Sequence, residues 1–229
     1  MRHSTASRPS CDERVSNWGG AVASVPPKVP AMAPVTLAAL RVEMELGFRA
    51  AGPQPWPAPR GMLERPADAE YSRCLHPEKY VITQQRATAW ASALIDAGVA
   101  TTASPGLRDL PPWGPVVTTP IVPTREGAEP VFVHFTHQHL PGVVVGYGSP
   151  QVVLLAEPVC GCDACDDGSD VLIEAIDEAF ESVILGEVLI EHDDHHTRVV
   201  TRNTESTSTS DSSDATRVAG RWSGTAWLG

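Results

Sequence analysis

The stretch VFVHFTHQHLPGVVVGYGSPQVVLLAEPVCGCDACDDGSDVLIEAIDEAFESVIL, residues 131–185, runs through three short apolar segments, a cysteine-rich turn and an amphipathic segment. Val131 to His137, Gly142 to Tyr147 and Gln151 to Ala156 are rich in Val, Leu and Phe and are separated by Gly and Pro. Runs of this length, punctuated in this way, predict an antiparallel β-meander. Val131, Val133 and Phe135 alternate with Phe132, His134 and Thr136, so one strand face is aliphatic or aromatic and the other mixed. From Asp170 to about Leu185 the period changes. Leu172, Ile173, Ile176, Ala179, Phe180, Val183 and Ile184 recur at helical spacing. Ser169 or Asp170 suits the N-cap of that helix, and Gly186 suits its end.

Upstream, Val116 to Val122 predicts a further strand before a turn at Glu126-Gly127. Thr36 to Ala51 predicts a helix, with Leu37, Leu40, Val42, Met44, Leu46 and Phe48 on an imperfect stripe and Thr36 at its N-cap. Pro53 to Pro66 is a proline-rich loop, and Trp56 within it gains from lying against the domain. Pro77 opens a second helix that stops at Gly98, since proline suits a first turn. Downstream, Val188 to Glu191 and Arg198 to Thr201 predict a short strand pair. The fold expected is α+β: helices packed on a small antiparallel sheet, in one domain over residues 35–201. Residues 1–34 are rich in Pro, Ser and Ala, and residues 202–229 in Ser, Thr and Asp. Both ends are expected to be disordered. Met32 opens the first periodic segment and is an alternative start to Met1.

The formal net charge of −11 over 229 residues repels phosphate backbones, so no nucleic-acid partner is expected. No apolar run approaches the roughly 20 residues needed to cross a bilayer, and no secretory leader is evident, so the protein is expected to be cytoplasmic. Five cysteines is an odd count, and three of them fall within six residues, which is not the spacing of a disulfide scaffold. Reduced thiols are the expectation.

Cys160, Cys162 and Cys165 form a C-x-C-x-x-C motif, with Gly161 allowing a tight backbone. Three thiolates this close can wrap one soft cation. Zn²⁺ is the cofactor expected if one is held, and it needs four ligands at tetrahedral angles. His134, His137, His139, Asp163 and Cys74 are the candidates for the fourth, with His137 or His139 preferred. The alternative is that the three thiols pack a tight turn as small apolar groups. A redox role is disfavoured because Asp163, Asp166 and Asp167 oppose thiolate formation. An iron–sulfur cluster asks for a fourth local thiolate. His192, His195 and His196 among Asp193 and Asp194 read as a solvated turn. Glu174, Asp177, Glu178 and Glu181 read as the solvated face of the last helix. No nucleophile elbow, P-loop or dinucleotide fingerprint is present.

Tyr71-Ser72-Arg73, Pro77-Glu78-Lys79-Tyr80, Pro141-Gly142-Val143, Tyr147-Gly148 and above all Cys160-Gly161-Cys162-Asp163-Ala164-Cys165-Asp166 resemble the uncharacterised actinobacterial domain-of-unknown-function family 6226. The resemblance covers about Val35 to Gly186. It implies a single intracellular domain with no assigned reaction, and it does not ask for a cysteine at position 74. Two functions follow as expectations. The first is a non-enzymatic binding or structural module with a zinc-stabilised cysteine turn. The second is a metal- or thiol-dependent enzyme using Cys160, Cys162 and Cys165. The first is preferred, because the residues supply no convincing acid, base or nucleophile set.

Overall fold

The computed structural model describes residues 34–61, 63–110, 114–137, 140–148, 152–193, 196–209 and 219–229. The expected N-terminal extension up to Ala33, with the alternative start at Met32, lies outside the described residues, as do His139, Asp194 and His195. Three α-helices form. α1 is Leu37–Ala50, α2 is Val81–Asp96 after a 3-10 turn at Pro77–Tyr80, and α3 is Ser169–Leu185. Thr36 caps α1 as expected, accepting the Ala39 N–H at 3.2 Å. Its buried stripe is narrower than the composition suggested. Leu40, Met44 and Phe48 are inside, four residues apart, while Val42 and Leu46 stand in solvent.

Two antiparallel sheets follow, which bears out the α+β class. In the first, β1 (Ala100–Thr102), β3 (Gly114–Pro123), β4 (Val131–Thr136), β5 (Gly142–Tyr147) and β6 (Val152–Glu157) lie in that order, and β2 (Gly106–Leu110) folds back on β3. The expected meander is therefore present, with a register shift at Val145/Gly146 where β6 pairs with β5. Every residue of β5 is buried, so the centre of this sheet is covered on both faces. Val131, Val133, Val143 and Val145 join Leu40, Trp90, Ile176 and Phe180 in the core, which sits between this sheet and the three helices.

The second sheet holds β7 (Leu189–His192), β8 (His196–Val200), β9 (Glu205–Thr209) and β10 (Gly220–Ser223), in the order β10-β7-β8-β9. The β7–β8 pair matches expectation. The other two strands correct it, because the expected tail from residue 202 is folded over 203–209 and 219–229. The folded unit runs from Pro34 to Gly229. The reason is local and tertiary at once. Gly224 N–H donates to the Val188 carbonyl at 2.7 Å and Trp227 N–H to the Ile184 carbonyl at 2.9 Å, which seats Trp227 in the core. Among the described residues no helix is long and apolar enough to cross a membrane.

The helices are locked by charge as well as by apolar packing. Arg86 is buried on α2 and donates twice to Asp177 on α3, at 2.7 and 2.6 Å, and once to Glu45 on α1, at 2.7 Å. Asp177 also accepts the Trp90 indole N–H at 2.7 Å. Glu181 takes both Arg41 donors, and Glu178 accepts from the Thr201 hydroxyl and the Asn203 N–H. The acidic residues expected on a solvated face are thus interhelical and helix–loop ties, apart from the exposed Glu174. A carboxylate row on a helix becomes structural when a neighbouring helix presents arginines to it.

Candidate thiol cluster

The sheet hands over to α3 through residues 158–168, and the cysteines occupy that handover. Cys165 N–H donates to the Cys162 carbonyl at 3.0 Å, closing a short 3-10 turn over Asp163–Cys165. The turn brings the Sγ atoms of Cys160, Cys162 and Cys165 within 4.8 Å of one another. Cys160 and Cys162 are the closest pair at 3.2 Å, and the Cys162 N–H points to the Cys160 sulfur at 3.4 Å. Four thiolates around one zinc, with Zn–S near 2.3 Å, stand about 3.8 Å apart, so the cluster has the right scale. Cys162 is half-buried and the other two are exposed. Gly161 is not in a left-handed conformation. Its missing side chain serves contact instead, because a Cβ there would stand 2.9 Å from the Leu140 side chain.

Two of the three acids beside the thiols, Asp163 and Asp166, are engaged by the loop before them, while the Asp163 charge still acts to raise the Cys74 thiol. Asp163 accepts from Arg73 Nε at 2.6 Å and from the Leu75 N–H at 3.1 Å. Asp166 accepts from the Trp56 indole at 2.8 Å, from the Gly168 N–H at 3.0 Å and from Lys79 Nζ. Hydrogen bonds from Cys160 first, and then from Cys165 and the N–H groups of Cys165 and Ala164, pull the Cys162 thiol below its ordinary value. Its bond with Cys162, burial and the nearby Cys160 push the Cys165 thiol up to about 11.

The loop 56–80 wraps this turn. Trp56 meets Tyr80 edge to face, with ring centroids 5.7 Å apart, and Lys79 Nζ lies 5.1 Å from the Trp56 ring centroid. Trp56 N–H donates to the Ser169 hydroxyl, and the Ser169 N–H and hydroxyl donate to the Trp56 carbonyl. Ser169 is therefore spent on the loop and does not cap its own helix, whose N-cap is Gly168. Gly168 is obligatory there. Its φ is +88°, and a Cβ would stand 2.6 Å from the Ala58 backbone nitrogen. Arg60 donates to the carbonyls of Asp163 and Ala164 at 3.0 and 2.6 Å. The proline-rich loop is thus a brace for the cysteine turn, which sequence patterning reached only in the docking of Trp56.

Asp166 makes one testable point. Burial alone would raise its carboxyl, but bonds from Lys79, Trp56 and Gly168, with the Lys79 charge, hold it below the ordinary value. A carboxylate lowered in the fold contributes stability that is full above its unfolded value, near 3.9, and is lost as pH falls through the folded value. Asp166→Asn is expected to cost about 1.5–3 kcal/mol at neutral pH. The gap to the parent protein begins to narrow below about pH 4 and goes on narrowing as pH falls through the folded value. Urea titrations at stepped pH check this, and a gap that fails to narrow between about pH 5 and about pH 2 would refute the assignment.

The histidines are placed differently. His134 is committed on β4, where its Nδ1 lies 2.9 Å from the Val117 carbonyl oxygen. His137 stands exposed just beyond β4, outside the thiol group, and His139 lies outside the described residues. His192 lies 2.8 Å from the Thr197 hydroxyl, in the second sheet. A separate cavity of about 110 Å³ lies between the two sheets, lined by Tyr147, Val152, Ile190, His192 and Trp222 among others. Burial, and then the Glu129 charge, push the Tyr147 phenol up to about 12.

No curated protein and no solved structure matches the chain. A family model matches residues 43–226, across both sheets, all of α2 and α3 and the whole cysteine turn. The chain therefore belongs to the family of unknown function DUF6226.

Proposed function

We propose that this protein is a non-enzymatic binding or structural module whose turn at Cys160, Cys162 and Cys165 holds Zn²⁺. The observation that carries the reading is the convergence of three sulfurs within 4.8 Å on a backbone turn that is itself hydrogen-bonded and braced. Zinc suits three soft ligands at this spacing and adds no redox chemistry of its own. Its role here is to tie the end of β6 to the start of α3. The neighbouring acids support the reading by being occupied with Arg73, Lys79 and Trp56, so that they neither crowd the sulfurs nor form a free acid–base pair. A thiol-dependent enzyme would draw on Cys162, whose thiol is held below its ordinary value by hydrogen bonds from Cys160 and Cys165, and would leave a coordination position open to water.

Elemental analysis of the purified protein tests this. One zinc per chain is expected, lost or much reduced in each of Cys160→Ser, Cys162→Ser and Cys165→Ser. Chelation is expected to lower the melting temperature of the parent protein and to leave the serine variants unmoved. Zinc-free protein whose melting temperature ignores both added zinc and chelator would overturn the reading.

A further inference from the structure

Three local sulfurs leave a tetrahedral ion one ligand short. The loop that braces the turn carries a fourth thiol, Cys74, between two residues that both grip Asp163. On one side, the Arg73 carbonyl accepts the Asp163 N–H at 2.8 Å and Arg73 Nε donates to Asp163 Oδ2 at 2.6 Å. On the other, the Leu75 N–H donates to Asp163 Oδ1 at 3.1 Å. Cys74 is therefore pinned beside the residue that follows Cys162.

Bond lengths make this quantitative. The path from Cys74 Cα to the Arg73 oxygen, across the hydrogen bond to Asp163 N and on to Cys162 Cα, cannot exceed about 8 Å. Two cysteines sharing one zinc place their sulfurs about 3.8 Å apart, each about 2.8 Å from its own Cα, and so tolerate Cα separations up to about 9 Å. Cys74 is within reach. It is exposed and unpaired with another sulfur, and its Sγ sits outside the group of three, accepting from the His76 N–H. Ligation would require its side chain to leave that N–H and turn toward the three sulfurs.

We propose that Cys74 is the fourth thiolate, so that the zinc site is a closed four-cysteine site joining the loop 56–80 to the junction of β6 and α3. This rests on the zinc reading above and sharpens it, because a site closed by four protein ligands is structural, with no position for a water or a substrate. It also gives the brace a purpose. The Arg60, Arg73, Trp56 and Lys79 contacts hold the loop against the turn, and the ion crosslinks what they align.

The test is cobalt substitution of the full-length protein, read by its sulfur-to-cobalt charge-transfer absorption alongside zinc affinity by chelator competition. Cys74→Ser is expected to lose about one quarter of the charge-transfer intensity, as four thiolates become three. Its zinc affinity is expected to fall by more than the roughly 10–100-fold that an outer-shell partner costs. Cys74→His is expected to regain tight binding with a changed cobalt spectrum, which separates ligation from folding. Cys74→Ser with the parent spectrum and affinity would overturn the proposal while leaving the zinc reading intact. So would loss of binding in His137→Ala or His139→Ala with Cys74→Ser unaffected. A parent protein that takes up neither metal would sink both.

Discussion

Replacing Arg86 with Ala is expected to destabilise the protein by about 3–5 kcal/mol, the usual cost of removing one partner from a buried ion pair. At about 2–4 °C per kcal/mol for a chain of this size, the melting temperature should fall by roughly 6–20 °C. Arg86 joins all three helices through Glu45, Asp177 and its stacking on Phe48, whose ring centroid is 4.7 Å away. Its removal leaves the Asp177 carboxylate with the Trp90 indole as its hydrogen-bond donor among the described residues. Arg86→Lys keeps the charge but not the planar fork that reaches Asp177 twice and Glu45 once, so it should recover only part of the loss. Adding Asp177→Asn to Arg86→Ala should cost less than the two single losses summed, since the pair is coupled. Strict additivity in urea titrations would show that the pair does not interact.

Trp227→Ala is expected to cost a similar amount, about 3–5 kcal/mol, as a buried aromatic leaves a cavity. Trp227 packs in the core cluster with Ile184 and Ile190, and its backbone N–H is bonded to α3. Its indole N–H is buried without a partner among the described residues. Trp227→Phe should therefore cost much less than Trp227→Ala, because it keeps an aromatic ring and removes an unsatisfied donor. If the last residues were a free tail, both variants would melt like the parent protein. Gly186 gives the same answer from the other side of the contact. Its φ is +73°, and a Cβ there would stand 2.5 Å from the Ala226 nitrogen, so the close of α3 accommodates the returning chain only as glycine.

These two cases show what patterning could and could not reach. Periodicity located α1, α2 and α3, the β3–β6 meander and the β7–β8 pair, because each of those segments repeats its apolar residues at its own period. The cysteine motif was legible for a related reason. Ligands that must meet at one ion within six residues leave a spacing visible in one dimension. The C-terminal strands were missed because β9 and β10 are exposed along their length and carry no alternation to read. They exist by pairing with β8 and β7.

The charged residues divide along the same line. Glu174, Asp177, Glu178 and Glu181 look identical as an acidic row, and only the approach of α1, α2 and the loop after β8 turned three of them into ties. Asp163 and Asp166 stand beside the thiols in the sequence, and loop 56–80 brings Arg73 and Lys79 to them. Cys74 is the sharpest instance. It lies 86 residues before Cys160 in the sequence and carries no local signature. Local periodicity and ligand spacing by themselves determined the element types and the three-sulfur turn, since both depend on residues close along the chain. Which charges are paired, whether the tail folds, and which distant thiol stands beside the turn were decided by the tertiary structure, since each depends on which segments the core packs side by side.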